Sequence, residues 1–144
     1  MKKVRIFVLI VIICLIAFVA SVPVVNNLSA KKIENQLLSI TLPDNTVTVE
    51  SLSKAGKLIG NGNGMQYFGA MLIRSERTLE DLSAYYSQQN ADVIVKEQKT
   101  QDIDFLEHET LFFKSNIADG KTYYIVYLFG GGISPFSELD IRGH

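Results

Sequence analysis

The acidic segment between positions 102 and 109 is the part of this chain whose residue types come closest to a known chemistry. It contains Asp102, Asp104, Glu107 and Glu109. Paired carboxylates act as acid and base in glycoside hydrolysis, and carboxylate oxygens also bind Ca²⁺. A calcium loop additionally needs a glycine at its turn and a bidentate Glu at a fixed offset, and the segment has neither. We interpret it as a solvated acidic turn and predict no metal and no cofactor.

Other catalytic combinations are incomplete in the sequence. The only cysteine, Cys14, lies in an apolar run, so the rest of the chain has no disulfide and no thiolate ligand. His108 stands between two glutamates, His144 ends the chain, and no Gly-x-Ser-x-Gly motif occurs. The glycine-rich runs at 60–64 and 130–132 lack the Gly-Lys-Ser/Thr pattern and the following helix of phosphate-binding loops. We interpret both runs as turns or strand exits.

Aromatic residues give the sequence its one indication of a binding surface. They fall on both faces of two predicted strands, whereas a single packed helix covers only one face of a sheet. Part of this aromatic surface is therefore expected to stay exposed, and exposed aromatic surface is typical of partner interfaces. The candidate residues are Tyr67, Phe68, Tyr123, Tyr124 and Tyr127.

The hydrophobic periodicity predicts an α+β domain with the order β-β-α-β-β-β. Strands are predicted over residues 46–59, 65–75, 92–99, 106–115 and 122–129, with 65–75 in a central position. Glycine and asparagine at 60–64, and Asp119-Gly120, favour hairpin turns. The predicted architecture is a mostly antiparallel five-stranded sheet with one packed helix.

That helix has the clearest local signals in the chain. Thr78 is a good N-cap with acidic residues in the turn that follows, and Asn90 is a plausible C-cap. The apolar stripe that should face the sheet consists of Leu79, Leu82, Tyr85 and Tyr86.

The N-terminal segment predicts a membrane-spanning helix. From Ile6 to Val25 no residue is charged, and 20 helical residues cover about 30 Å, the thickness of a bilayer's hydrocarbon core. Basic residues precede this run, which favours a cytoplasmic N-terminus and an extracytoplasmic domain at the cell membrane. Val19-Ala20-Ser21 offers a signal-peptide cleavage site, in which case the domain would be secreted. A pilin would need a glycine and then a glutamate around its cleavage point, and residues 1–25 contain neither.

The remaining chain divides into a juxtamembrane linker helix (26–41), an extracytoplasmic α+β domain (42–132) and a C-terminal tail (133–144). In the linker, a short polar join precedes a brief helix from residue 31. Three of the 14 Lys and Arg precede the apolar run and all 15 Asp and Glu follow it, so the part after the run has a net charge of −4. Because nucleic-acid binding needs a clustered basic face, this charge argues against a nucleic-acid partner.

Residues 55–87, with the sequence AGKLIGNGNGMQYFGAMLIRSERTLEDLSAYYS, resemble a group of small membrane-anchored proteins of Gram-positive, Firmicute-type bacteria. Those proteins are similar in running from an N-terminal hydrophobic helix through a Leu-Pro turn, here Leu42-Pro43, into such a strand and helix. The resemblance implies a location in the cell envelope and no mechanism.

Two functional hypotheses follow. The first is a non-enzymatic module of the cell envelope, held by membrane lipid around Ile6 to Val25 and binding a protein, a peptide or a wall component. The alternative is an envelope hydrolase that uses a carboxylate pair near 102–109, which requires a concave site and a desolvated carboxylate.

Overall fold

A computed structural model describes residues 2–62, 64–131 and 134–144 of the chain. Within these residues the chain forms two α-helices, four strands and two short 3₁₀ helices. In chain order they are α1 (Lys2–Leu38), β1 (Thr46–Gly56), β2 (Gln66–Ser75), α2 (Leu79–Gln89), β3 (Ile94–Glu97), β4 (Tyr123–Gly131) and the 3₁₀ helices Ser137–Leu139 and Ile141–Gly143. The prediction of an α+β fold with an N-terminal apolar helix is confirmed.

The four strands form one antiparallel sheet with the order β1-β2-β4-β3. β2 lies between β1 and β4, so its predicted central position is confirmed. β1 and β2 form the predicted hairpin, in which Gly60 has a positive φ of 73°. The prediction of five strands in the order β-β-α-β-β-β is wrong.

The predicted fourth strand, expected over 106–115, does not form; this region is an irregular segment with a single isolated bridge between Asp102 and Phe112. Ile103, Leu106 and Phe113 of this region are buried against Phe68, Leu72 and Ile125 of the sheet. These three core residues do not follow the two-residue period of a strand. The segment covers the sheet face that carries no helix, and its apolar spacing follows that surface.

The other face of the sheet carries two helices, not one. The C-terminal half of α1 packs against β1, β2 and β4, and α2 packs beside β3. The predicted caps of α2 are confirmed: the Thr78 hydroxyl accepts the Asp81 N–H at 3.1 Å, and Asn90 is the C-cap. Leu82 and Tyr86 are fully buried in this layer.

The predicted polar join at 26–30 is also wrong, because α1 continues through it and through Pro23. At 37 residues the helix is about 55 Å long. Its buried side chains follow helical spacing and include polar residues that face the domain instead of water. They are Val22, Asn26, Ser29, Ala30, Ile33, Glu34 and Leu37.

Gly69 of β2 lets α1 lie directly on the sheet. A Cβ added at this position would be 2.5 Å from the backbone nitrogen of Glu34 and 2.8 Å from the carbonyl carbon of Ile33. No side chain fits between the two backbones, so this contact fixes the separation of helix and strand.

Candidate functional site

The five aromatic residues predicted as a partner surface lie inside the domain. Tyr67, Phe68, Tyr123, Tyr124 and Tyr127 are at most 5% exposed. Tyr67 and Tyr124 belong to the core under the helices, and the other three to the core under residues 98–119. Because both sheet faces are covered, these side chains do not form the exposed surface that the sequence predicted.

The four acidic residues considered for hydrolysis do not form a desolvated pair. Asp102 and Asp104 are exposed. Glu107 accepts the Gly60 backbone N–H at 2.8 Å, and Glu109 pairs with Lys54 at 3.1 Å. The geometry of these four residues gives no support to carboxylate catalysis. Within the described residues no group of three or more His, Cys, Asp or Glu is placed to hold a metal ion.

The N-terminal half of α1 is exposed in the part of the chain that the structure describes. Large apolar side chains from Ile6 to Val19 are between 47% and 67% exposed. A stretch this long and this apolar on all sides is suited to lipid. The helix is long and apolar enough to cross a membrane.

The C-terminal tail, residues 134–144, binds α1 where this exposed half meets the domain. Asn26 of α1 donates from Nδ2 to Asp140 Oδ2 at 2.8 Å and accepts the Tyr67 hydroxyl at Oδ1 at 2.9 Å. Arg142 donates from Nη2 to Asp140 Oδ2 at 2.6 Å and from Nη1 to Asn27 Oδ1 at 3.0 Å. We call Asn26, Tyr67, Asp140 and Arg142 the polar clamp.

The charges of the polar clamp neutralise each other. Asp140 is 3% exposed, so its carboxylate depends on protein donors. Hydrogen bonds from the Arg142 guanidinium hold the pKa of Asp140 well below its usual range, with a further contribution from Asn26. Burial raises the pKa of the Tyr67 phenol, which therefore stays protonated and can donate to Asn26. The clamp thus fixes the tail to α1 without an uncompensated charge.

A mainly apolar groove of about 430 Å³ adjoins the polar clamp, and Asp140 and Arg142 of the clamp form part of its lining. One wall is α1 at Phe18, Val19 and Val22, and the other is the tail at Leu139 and Ile141. The Phe136 ring of the tail meets the Phe18 ring edge-to-face, with their centroids 5.6 Å apart. The tail therefore contacts α1 inside the predicted membrane span.

A second polar contact sets the position of α1 over β1. The Glu34 side chain is 2% exposed and accepts the Ser51 hydroxyl at 2.6 Å and the Lys31 ammonium at 2.7 Å. Burial by itself would raise the pKa of Glu34, but these hydrogen bonds outweigh it and lower the pKa. The buried Glu34 carboxylate therefore has a structural role, with Ser51 and Lys31 as its partners.

A cleft of about 500 Å³ lies at the opposite end of the sheet from the tail. Backbone bonds from Lys57 to Arg142 and from Gly64 to Gly143 place the tail at the β1–β2 hairpin end. The cleft is at the other end, about 30 Å away at 3.3 Å per strand residue. We call it the distal cleft; its lining residues are Asn45, Val47, Arg74, Ser75, Glu76, Gly120, Lys121 and Thr122.

Comparisons of the chain with protein-family models, with curated proteins and with solved structures gave no match.

Sequence reasoning missed the polar clamp, the groove and the distal cleft. Asn26 and Asp140 are 114 positions apart, and no local pattern pairs residues at that separation. One signal was available for the helix: Val22, Asn26, Ile33 and Leu37 continue a single helical face through the region interpreted as a join.

Proposed function

We propose that this protein is a non-enzymatic, single-pass membrane module of the bacterial cell envelope, with its domain outside the cytoplasm. The observation that carries the proposal is α1, whose apolar half is exposed and whose other half is part of the domain core. A helix without a break joins the anchor to the domain, so the domain is held at a fixed height and orientation.

The charge distribution supports the orientation. Lys2, Lys3 and Arg5 precede the apolar run, and Lys31 and Lys32 follow it closely, so the basic excess on the N-terminal side is small and favours a cytoplasmic N-terminus. The resemblance of residues 55–87 to membrane-anchored proteins of Gram-positive bacteria is consistent with the same location.

The distal cleft is the proposed ligand end, in place of the sheet faces. Both faces are covered, whereas the cleft is open and faces away from the anchor. Arg74 and Lys121 offer cations, and Ser75 and Thr122 offer hydroxyl groups. This combination suits a protein segment, a peptide or a wall component that carries carboxylate or phosphate groups.

Membrane-impermeant maleimide labelling of intact cells tests the orientation. In a Cys14→Ser background, Lys121→Cys should react in intact cells, and Arg5→Cys should react only after permeabilisation. The mass of the protein recovered from membranes should include residues 1–25. Labelling of Lys121→Cys only after permeabilisation would contradict the proposal.

A photoreactive maleimide attached to Lys121→Cys tests the ligand end. Irradiation of cells should give an adduct of defined mass, and the same reagent on Lys57→Cys, at the tail end of the sheet, should not. Equal adducts from both positions, or none from Lys121→Cys, would contradict the assignment of the distal cleft.

A filament subunit is the second candidate. Its support is the unbroken helix that leads from an apolar half into a helix packed on an antiparallel sheet, since pilins also run from a hydrophobic helix into an amphipathic helix and a sheet. The missing glycine and glutamate argue against it. Shearing of cells separates the two candidates, because a filament subunit would be released in sedimentable fibres and an anchored module would stay in the membrane fraction.

A further inference from the structure

The groove between α1 and the tail joins two apolar surfaces that belong to distant parts of the sequence. Ile141 is 86% exposed and Leu139 is 55% exposed, and both stand beside the exposed apolar half of α1. Side chains of this size rarely protrude together from a water-facing turn next to an apolar cleft. Their position favours an apolar environment over water for both side chains.

The length of the predicted span sets their depth. If residues 6–25 fill the hydrocarbon core, Phe18 lies seven residues before the end of the span, about 10 Å below its boundary. Phe136 contacts the Phe18 ring, and Leu139 and Ile141 line the groove with it. The tail therefore reaches the acyl-chain layer on the side of the membrane that faces the domain.

We infer that the tail is a second membrane-contacting element and that the groove holds an acyl chain of a bilayer phospholipid. This inference rests on the proposed membrane anchoring. Continuity with the span determines the occupant: the groove wall formed by Phe18, Val19 and Val22 is the same helix surface that lipid covers elsewhere.

The charged residues of the tail can lie at this depth because they are paired within the polar clamp. Asp140 has its carboxylate oxygens bonded to Arg142 and Asn26, so no free acidic group of the clamp faces the groove. Arg142 also donates to the Pro23 carbonyl at 3.3 Å, inside the helix. Charges that are paired and hydrogen-bonded in this way can lie at the edge of a low-dielectric layer. The apolar side chains of the same two 3₁₀ helices then point outward to lipid.

The chain contains no tryptophan, so a single introduced tryptophan reports its own surroundings. Full-length Ile141→Trp protein is reconstituted into phosphatidylcholine vesicles with plain acyl chains or with acyl chains that carry bromine, a contact quencher. We expect Ile141→Trp to lose most of its emission in the brominated vesicles. Because Ile141 is so exposed, the substitution should leave the fold unchanged.

Two further variants make the result decisive. Ile10→Trp, inside the span, should be quenched if the anchor is in the bilayer, and Val47→Trp, at the distal cleft, should keep its emission. Quenching of Ile10→Trp without quenching of Ile141→Trp would contradict lipid contact by the tail and would still support the proposed membrane anchoring by α1. If neither is quenched, both proposals are wrong. If Ile141→Trp keeps its emission in brominated vesicles but responds to the protein-to-lipid ratio, a second copy fills the groove and the inference is again wrong.

Discussion

Asp140 is the buried carboxylate that bonds the tail to α1 through Asn26. Replacing it with Asn removes the negative charge that pairs with the Arg142 guanidinium. Because Arg142 is only part-buried and keeps its bonds to Asn27 and Pro23, loss of this charge-assisted pair costs about 2 kcal/mol. We expect Asp140→Asn to lower the free energy of unfolding of the full-length protein in detergent by about this amount at neutral pH, measured by chemical unfolding. Asp104→Asn, at an exposed site, is the control and should change nothing.

The same carboxyl predicts an acid sensitivity with a defined sign. The pKa of Asp140 is lowered from its ordinary value of 3.8 by the guanidinium bonds of Arg142. A carboxyl with a depressed folded-state pKa stabilises the fold fully above the unfolded-state pKa, and this contribution is lost as the pH falls through the folded-state pKa. Unfolding of the wild-type protein should therefore become easier below about pH 4. Asp140→Asn should show a smaller decrease over the same range, and an unchanged decrease would show that other carboxyls determine it.

Removal of the Tyr86 hydroxyl is expected to increase the stability of the fold. Its hydroxyl is buried and has no hydrogen-bond partner among the described residues, which costs about 1 kcal/mol or more. Tyr86→Phe should therefore stabilise the protein by about 1 kcal/mol. Tyr85→Phe is the matched control and should destabilise it, because the Tyr85 hydroxyl donates to the Thr41 carbonyl at 2.8 Å. Thermal unfolding of the two variants decides between these signs.

Burial also raises the pKa of Tyr86 to about 12. The ordinary value is 10.0, so the unfolded protein loses this proton first and the stability of the fold decreases as the pH rises through the folded-state pKa. Tyr86→Phe should remove this part of the alkaline decrease. An identical alkaline profile for both proteins would count against the assigned burial.

At the level of elements, the contact of α1 with β2 depends on Gly69. An added Cβ would meet the α1 backbone at 2.5 Å, so the helix must move away from the strand. Overpacking of this kind costs about 2 kcal/mol. We expect Gly69→Ala to lower the free energy of unfolding by about this amount. Gly62→Ala is the control, since a Cβ there meets nothing within 4 Å; equal stability of the two variants would contradict the close approach.

The elements that could be predicted from sequence are those with local signals. A continuous apolar run after a glycine-rich turn defines β2, and Thr78 with Asp81 defines the start of α2. The strand predicted over 106–115 was wrong, because Ile103, Leu106 and Phe113 are placed by the surface they cover and not by a strand period. α1 was divided incorrectly because Pro23 and Asn26 usually mark helix ends. Here Asn26 is polar because it bonds to Asp140 and Tyr67.

For the whole molecule, features that depend on neighbouring residues could be predicted, and features that depend on distant residues could not. The apolar run from Ile6 to Val25 needed no tertiary information to predict a membrane helix. Predicting the binding regions did need tertiary information. Aromatic residues lie on both sheet faces, and the sequence did not show that an irregular segment covers the second face. The polar clamp joins Asn26 to Asp140 across 114 positions, and only the fold brings such residues together.

Because α1 is continuous from its apolar half into the domain, we expect the domain to have a fixed orientation on the membrane. The tail is bonded to the hairpin end of the sheet, and the distal cleft lies about 30 Å away at the other end. In the proposed arrangement the hairpin end is therefore near the bilayer and the distal cleft is far from it. In a Cys14→Ser background, a donor dye on Lys57→Cys should transfer energy efficiently to acceptor lipids in the vesicle surface, and a donor on Lys121→Cys should transfer much less. Equal transfer from both positions would mean that the domain lies flat or tumbles, and that helix continuity does not set its orientation.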